Sequence, residues 1–163
     1  MKLRLPPFTL RRGAGGFTLI ELMVVMAVLG LLASLLLPLA ELNQQRERER
    51  ELRTALLEIR AAIDAYRAAV LAGQIAPPAN DSGYPPSLRA LVETSRGSSG
   101  QARHFLRRVP RDPFAEPGLP AELTWALRSH ESPPDAPRPG ADVYDVSSRS
   151  ERMGLNGIPL KEW

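Results

Sequence analysis

From Phe17 to Ala40 the chain carries 24 residues with one formal charge, Glu21. At about 1.5 Å per residue a helix of that length reaches roughly 36 Å, more than the ~30 Å hydrocarbon core of a bilayer. The run predicts a membrane-spanning helix, and in a chain of 163 residues it leaves room for one further domain. Glu21 lies one turn inside the apolar run, where an unpartnered acid carried to mid-bilayer costs up to roughly 2.5–3.5 kcal/mol. Some positive group is expected to compensate it.

What precedes the run has a different character. Residues 1–16 contain Pro6, Pro7, Gly13, Gly15 and Gly16, which cannot hold a regular helix, and are read as a processing segment outside the fold. In a conventional secretory signal the small residues follow the apolar stretch. Here they precede it, so cutting at that point would leave the helix in the mature protein. The leader also distorts the charge. Lys2, Arg4, Arg11 and Arg12 lie in it without an acid, and the remainder has 17 basic against 18 acidic side chains. The high isoelectric point therefore reports the leader and gives no support to nucleic-acid binding. Arg46, Arg48, Arg50 and Arg53 follow the helix closely, so the positive-inside count is a tie and does not orient the span. Cysteine is absent, which excludes disulfides and thiolate metal sites.

Pro38 removes a backbone donor and crowds the preceding turn, so a kink or local melting is expected between Ser34 and Pro38, with Ser34 or neighbouring helices satisfying the freed carbonyl. Residues 41–53 are almost wholly polar. Arg46 to Glu51 alternate in sign and Glu49 stands i,i+4 to Arg53, the pattern of a solvated helical connector. Leu52, Leu56, Ile59, Ile63, Tyr66 and Val70 then recur at steps of four and three, one apolar seam on a helix ending near Gly73. Fewer than three full heptads argue against a coiled coil and for a helix packed on a small sheet of its own domain.

Beyond it, the stretch 75–86 is loop by its Pro and Gly content, and Ser87 caps a short helix through Leu91 or Val92. Residues 94–101 are flexible by composition, and Phe105, Leu106 and Val109 return to the core. Alternation around Leu123, Trp125 and Leu127 predicts a strand over 121–129; a second is expected over 142–147, around Val143 and either Val146 or Tyr144. The Pro-rich 131–140 connects them. Catalysis finds no support: His104 and His130 sit in polar, loop-like surroundings without metal-ligand spacing, Asp112 before Pro113 reads as a turn former, Trp125 and Trp163 as packing, and no Gly-rich phosphate loop is present.

Two sets of motifs carry a resemblance. Gly16-Phe17-Thr18-Leu19-Ile20-Glu21 after a short basic leader resembles the class III signal of type IV pilins and of the pseudopilins of type II secretion, in which Gly30 and Pro38 also have counterparts. Tyr84-Pro85-Pro86-Ser87-Leu88, Arg108-Val109-Pro110-Arg111-Asp112-Pro113-Phe114, Asp142-Val143-Tyr144 and a terminal Trp163, in that order, resemble the G-type, major pseudopilin.

The resemblance implies an α+β, pilin-like fold: a long N-terminal helix, membrane-spanning in its first half and amphipathic in its second, packed on a small antiparallel sheet. It divides the chain into a leader (1–16), a transmembrane and filament-core helix (17–40), an amphipathic continuation (41–73) and a periplasmic α+β region (74–163). A prepilin peptidase would cut after Gly16 and methylate Phe17, and the new ammonium, positively charged at neutral pH, would pair with Glu21 of a neighbour or of the same chain. Further implied partners are other pseudopilins and copies of the chain, an inner-membrane assembly platform and the membrane. The implied role is structural, with no catalytic residue, in a periplasmic filament that drives export of folded proteins. A type IV or minor pilin and a signal-anchored periplasmic binding module are the alternatives.

On calcium the chain departs from the resemblance. G-type pseudopilins carry acidic ligands after the Asp-hydrophobic-Tyr strand, where this chain has Ser147-Ser148-Arg149-Ser150-Glu151-Arg152, and Pro159 stands in place of a later acid. Arginines repel a hard cation. The expectation is that no metal is needed and that Leu155, Ile158 and Trp163 hold the loop by packing, with Asp145, Glu151 and Asn156 as the set a rearranged site would use.

Overall fold

Thr18 starts the one long helix. Its hydroxyl accepts the main-chain N–H of Glu21 at 3.3 Å and its carbonyl accepts that of Leu22 at 3.1 Å, the N-cap half of a capping box written as Thr-x-x-Glu. From there α1 runs Leu19–Leu71 in this computed structural model, which describes residues 16–93, 95, 96 and 102–163. The leader, 1–15, and the stretch at 94 and 97–101 lie outside the described residues. Two compact units divide the chain, Met1–Glu41 and Leu42–Trp163.

In the first unit the described side chains of α1 are exposed, and none of its apolar span is buried within the chain. Leu19, Ile20, Met23, Met26 and Leu31 all point outward. The backbone stays helical through Pro38, so the local melting expected there is not found. Ser34 donates its hydroxyl to the Leu31 carbonyl at 2.7 Å, one turn earlier than the carbonyl that Pro38 leaves free.

The second unit has a core. Leu52, Leu56, Ile59, Ile63 and Tyr66 are buried as the seam predicts, Val70 is half-buried, and Ala55, Ala62 and Ala69 let neighbouring segments come close. Against them pack Ile75, Leu88, Leu91, Leu106, Val109, Trp125, Val143, Val146 and Leu160. The helix closes where the sequence places its end: Gly73 takes φ +65°, Gln74 N–H reaches Ala69 O and Gly73 N–H reaches Val70 O, a Schellman closure that needs a residue at ease in the left-handed region.

The small antiparallel sheet is present, as expected. Two separate antiparallel ribbons are present among the described residues: β1 (Ser95–Arg96) with β2 (Ala102–Arg103), and β3 (Trp125–Arg128) with β4 (Asp145–Ser148). The first corrects the reading of this stretch as flexible throughout. In the second, Trp125 pairs with Ser148 and Arg128 with Asp145. The strand expected from 121 begins at Trp125, because Pro120 leads into a 3-10 turn over Ala121–Thr124 that leaves Leu123 exposed. The strand expected over 142–147 likewise begins later, at Asp145, since Val143 N–H is taken by Pro85 O. The helix after Ser87 is a single 3-10 turn, Leu88–Leu91, capped by the Ser87 hydroxyl on Ala90 N–H.

Candidate functional site

The processing segment can be described from Gly16 onward. Gly16, Phe17 and Thr18 are non-helical and exposed, and the helix starts two residues after Phe17. A peptide bond in accessible, irregular backbone next to a residue without a side chain is what a protease can seat. A Cβ added at Gly16 meets nothing within 4 Å among the described residues. Phe17 precedes the helix in the uncut chain. The Glu21 carboxylate is exposed and takes part in no ion pair among the described residues. Thr18 is the residue that sequence reasoning overlooked, although Thr-x-x-Glu is a helix-start signature legible without coordinates.

A second cluster joins α1 to the last eleven residues of the chain. Gln45, Glu49, Arg53 and Arg60, spaced four, four and seven along the helix, form one stripe. Gln45 Nε2 donates to Met153 O at 3.3 Å, Glu49 Oε1 accepts Leu155 N–H at 2.8 Å, and the Arg53 guanidinium lies 4.4 Å from the centre of the Trp163 ring. Arg60 donates to Asp145 Oδ1, Val146 O and Trp163 O at 2.8, 3.0 and 2.9 Å. The reading of 41–53 as a solvated connector holds for most of its side chains and is corrected at Glu49. Glu49 is buried and occupied by Leu155 and Gln45, so its expected pairing with Arg53 does not form; Arg50 pairs with Glu47 instead.

The C-terminal turn is held by hydrogen bonds, which corrects the expected packing of Leu155 and Ile158. Both side chains are exposed, while Gly154 N–H bonds Ile158 O, Ile158 N–H bonds Asn156 Oδ1 and Leu160 N–H bonds Arg152 O. Leu160 supplies the buried anchor, and Trp163 lies so close to Gly154 that a Cβ there would sit 2.6 Å from the indole. Asp145 is bonded by Arg60, Asn156 by the turn's own backbone and Glu151 faces Lys161, and no group of three or more His, Asp or Glu side chains is placed to hold a metal among the described residues.

Two buried carboxylates have structural tasks. Asp112 Oδ1 accepts Phe114 N–H at 2.8 Å, the turn read from the sequence, and its Oδ2 accepts the Ser148 hydroxyl at 2.6 Å, which ties the turn to β4. Asp142 binds His130 through the ring Nδ1 and the main-chain N–H, and also the Ser129 hydroxyl, so His130 is not in the loop-like isolation its sequence neighbours imply. Burial alone would raise the Asp142 carboxyl, but hydrogen bonds from Ser82, His130 and Ser129 outweigh it and hold the group below the ordinary carboxylate value. Because Ser129 donates to the carboxylate, this Ser, His and Asp do not form a nucleophile relay.

The fold and the segment at Gly16-Phe17 define a membrane-anchored subunit with an N-terminal processing signal. The prokaryotic N-terminal methylation motif matches residues 11–37. The chain is 32% identical over 107 residues to the type II secretion system core protein G of Klebsiella pneumoniae, covering 61% of this chain and 68% of that one. It is 32% identical over 111 residues to core protein G of Pseudomonas aeruginosa, covering 66% and 72%, and 30% identical over 112 residues to that of Klebsiella michiganensis, covering 64% and 70%. No solved structure matches the chain. The chain belongs to the type II secretion system core protein G family, the major pseudopilins.

Proposed function

We infer that this chain is a structural subunit of a type II secretion pseudopilus. It is made as a precursor, cut between Gly16 and Phe17 by a prepilin peptidase and methylated at Phe17. The helix 17–40 holds it in the inner membrane with residues 42–163 in the periplasm, until an assembly platform moves it into a filament with other pseudopilins and copies of itself. Export of folded proteins is driven by that filament, and the chain itself catalyses nothing.

The observation that carries this reading is the helix in unit one: an apolar surface without a partner in its own chain, headed by an accessible Gly16-Phe17 bond and a single acid. Apolar surface of that extent is stable in lipid or against copies of itself, and both are stages of the proposed cycle. Among the described residues Glu21 has no ion-pair partner before the cut. Afterwards the α-ammonium of Phe17 supplies one, and in a low-dielectric filament core that pair selects the register between subunits.

Mass spectrometry of protein extracted from membranes tests the reading. The expected species begins at N-methyl-Phe17 and is lighter by about 1.7 kDa, sixteen residues of ordinary mass. An intact Met1 terminus in cells that hold the peptidase would overturn it.

A further inference from the structure

We propose that Arg60 is the built-in cation of the C-terminal turn, and that this chain closes the turn without a divalent metal. The three oxygens on its guanidinium come from two separate stretches: the Asp145 carboxylate and Val146 carbonyl from β4, and a main-chain oxygen of Trp163. A carboxylate and two main-chain oxygens converging on one positive centre form a cation cradle. Three oxygens meet the needs of a planar fork with five N–H donors, but fall short of the six to eight that calcium gathers.

Charge balance points the same way. The open cleft over this spot is lined by four basic side chains, Arg60 among them, and four acidic ones, Asp145 among them. A divalent ion entering it would meet two near arginines, Arg60 and Arg149. Arg149 is itself committed, donating to Trp125 O at 2.9 Å. Arg60 is also well placed to remain: it stands on α1 one residue after the fully buried Ile59, so packing of the seam fixes its origin. The guanidinium cannot be removed by a chelator or lost by dilution, so closure of the turn is independent of ion supply.

The test uses the full chain in detergent, with thermal unfolding and amide hydrogen exchange read in millimolar calcium chloride and in excess chelator. The wild type is expected to melt at the same temperature in both. Arg60→Met is expected to speed exchange of the Leu160 amide by roughly tenfold or more, the loss of charge-assisted bonds, with no recovery in calcium. Arg60→Lys, which keeps the charge and loses the fork, should fall between the two. If Arg60→Met does not fold, Asp145→Asn, which leaves both bonds to main-chain oxygens, is expected to give the same direction with a smaller change. A calcium-dependent rise of more than about 4 °C in the wild type, reversed by chelator, would overturn the proposal. So would recovery of Arg60→Met in calcium, or unchanged Leu160 exchange in both Arg60→Met and Asp145→Asn. None of these outcomes bears on the mass of the mature chain, which tests the proposed function separately.

Discussion

The two halves of α1 have opposite relations to the chain that contains them. Residues 19–41 are almost wholly apolar and their described side chains are exposed, whereas residues 42–71 are amphipathic and bury a seam from Leu52 to Tyr66 against the segments that follow. The first half is specified by what lies outside the chain, lipid or other subunits, and the second by the chain itself. Changes in the first should therefore be felt in processing and assembly, and changes in the second in unfolding. Each of the following separates those readouts.

The largest effect is expected from Gly16→Val. A side chain at this position meets nothing among the described residues, so the fold should be untouched while processing stops, seen as retention of the full precursor mass with an unchanged melting temperature. Glu21→Ala comes next: the precursor is cut and inserted, but recovery of sheared filaments drops by more than about tenfold, as when one partner of a buried ion pair is removed. Wild-type filament yield from this variant would leave Glu21 with no assembly role. Trp125→Ala reverses the pattern. The indole is fully buried and donates Nε1–H to Pro110 O at 2.9 Å, so its loss should lower stability by about 3–5 kcal/mol in thermal unfolding, while the amino terminus is still processed.

A smaller effect follows from Asp142. Its carboxyl titrates below the ordinary 3.8 in the folded chain, so the stability it contributes is present above that value and is lost as pH falls through the lower, folded one. Acid unfolding should therefore show a component below pH about 4 that Asp142→Asn lacks. The smallest change is expected from Leu57→Ser. Leu57 is 68% exposed although it stands beside buried Leu56, and stability should move by no more than about 0.5 kcal/mol.

The parts of the molecule legible in the sequence are those governed by local periodicity. The steps of four and three from Leu52 to Tyr66, the glycine after the helix and the serine before Leu88 each encode their outcome within a few residues. Misreadings arise where a distant partner decides. Nothing near Glu49 signals that Leu155 will donate to it across 106 residues, or that Arg60 will reach Trp163 across 103. The strand at Leu123 was misread for a nearer reason, since Pro117, Gly118 and Pro120 set up a turn that outweighs alternation over three positions. In the candidate processing site Gly16, Phe17 and Glu21 were legible from the motif, while the cap made by Thr18 needed only the rule for helix starts.

The stripe of Gln45, Glu49, Arg53 and Arg60 also sets the route a mechanical load takes. A pull applied to α1 at residue 42 reaches the ties to residues 153–163 one helical turn after another, and these act in parallel, sharing the force across several bonds. The stripe also grips β4 through Arg60, which holds Asp145 and Val146, so the strand shares the load with the tail. A subunit drawn along its helix would thus carry its tail and the edge of its larger ribbon with it as one body.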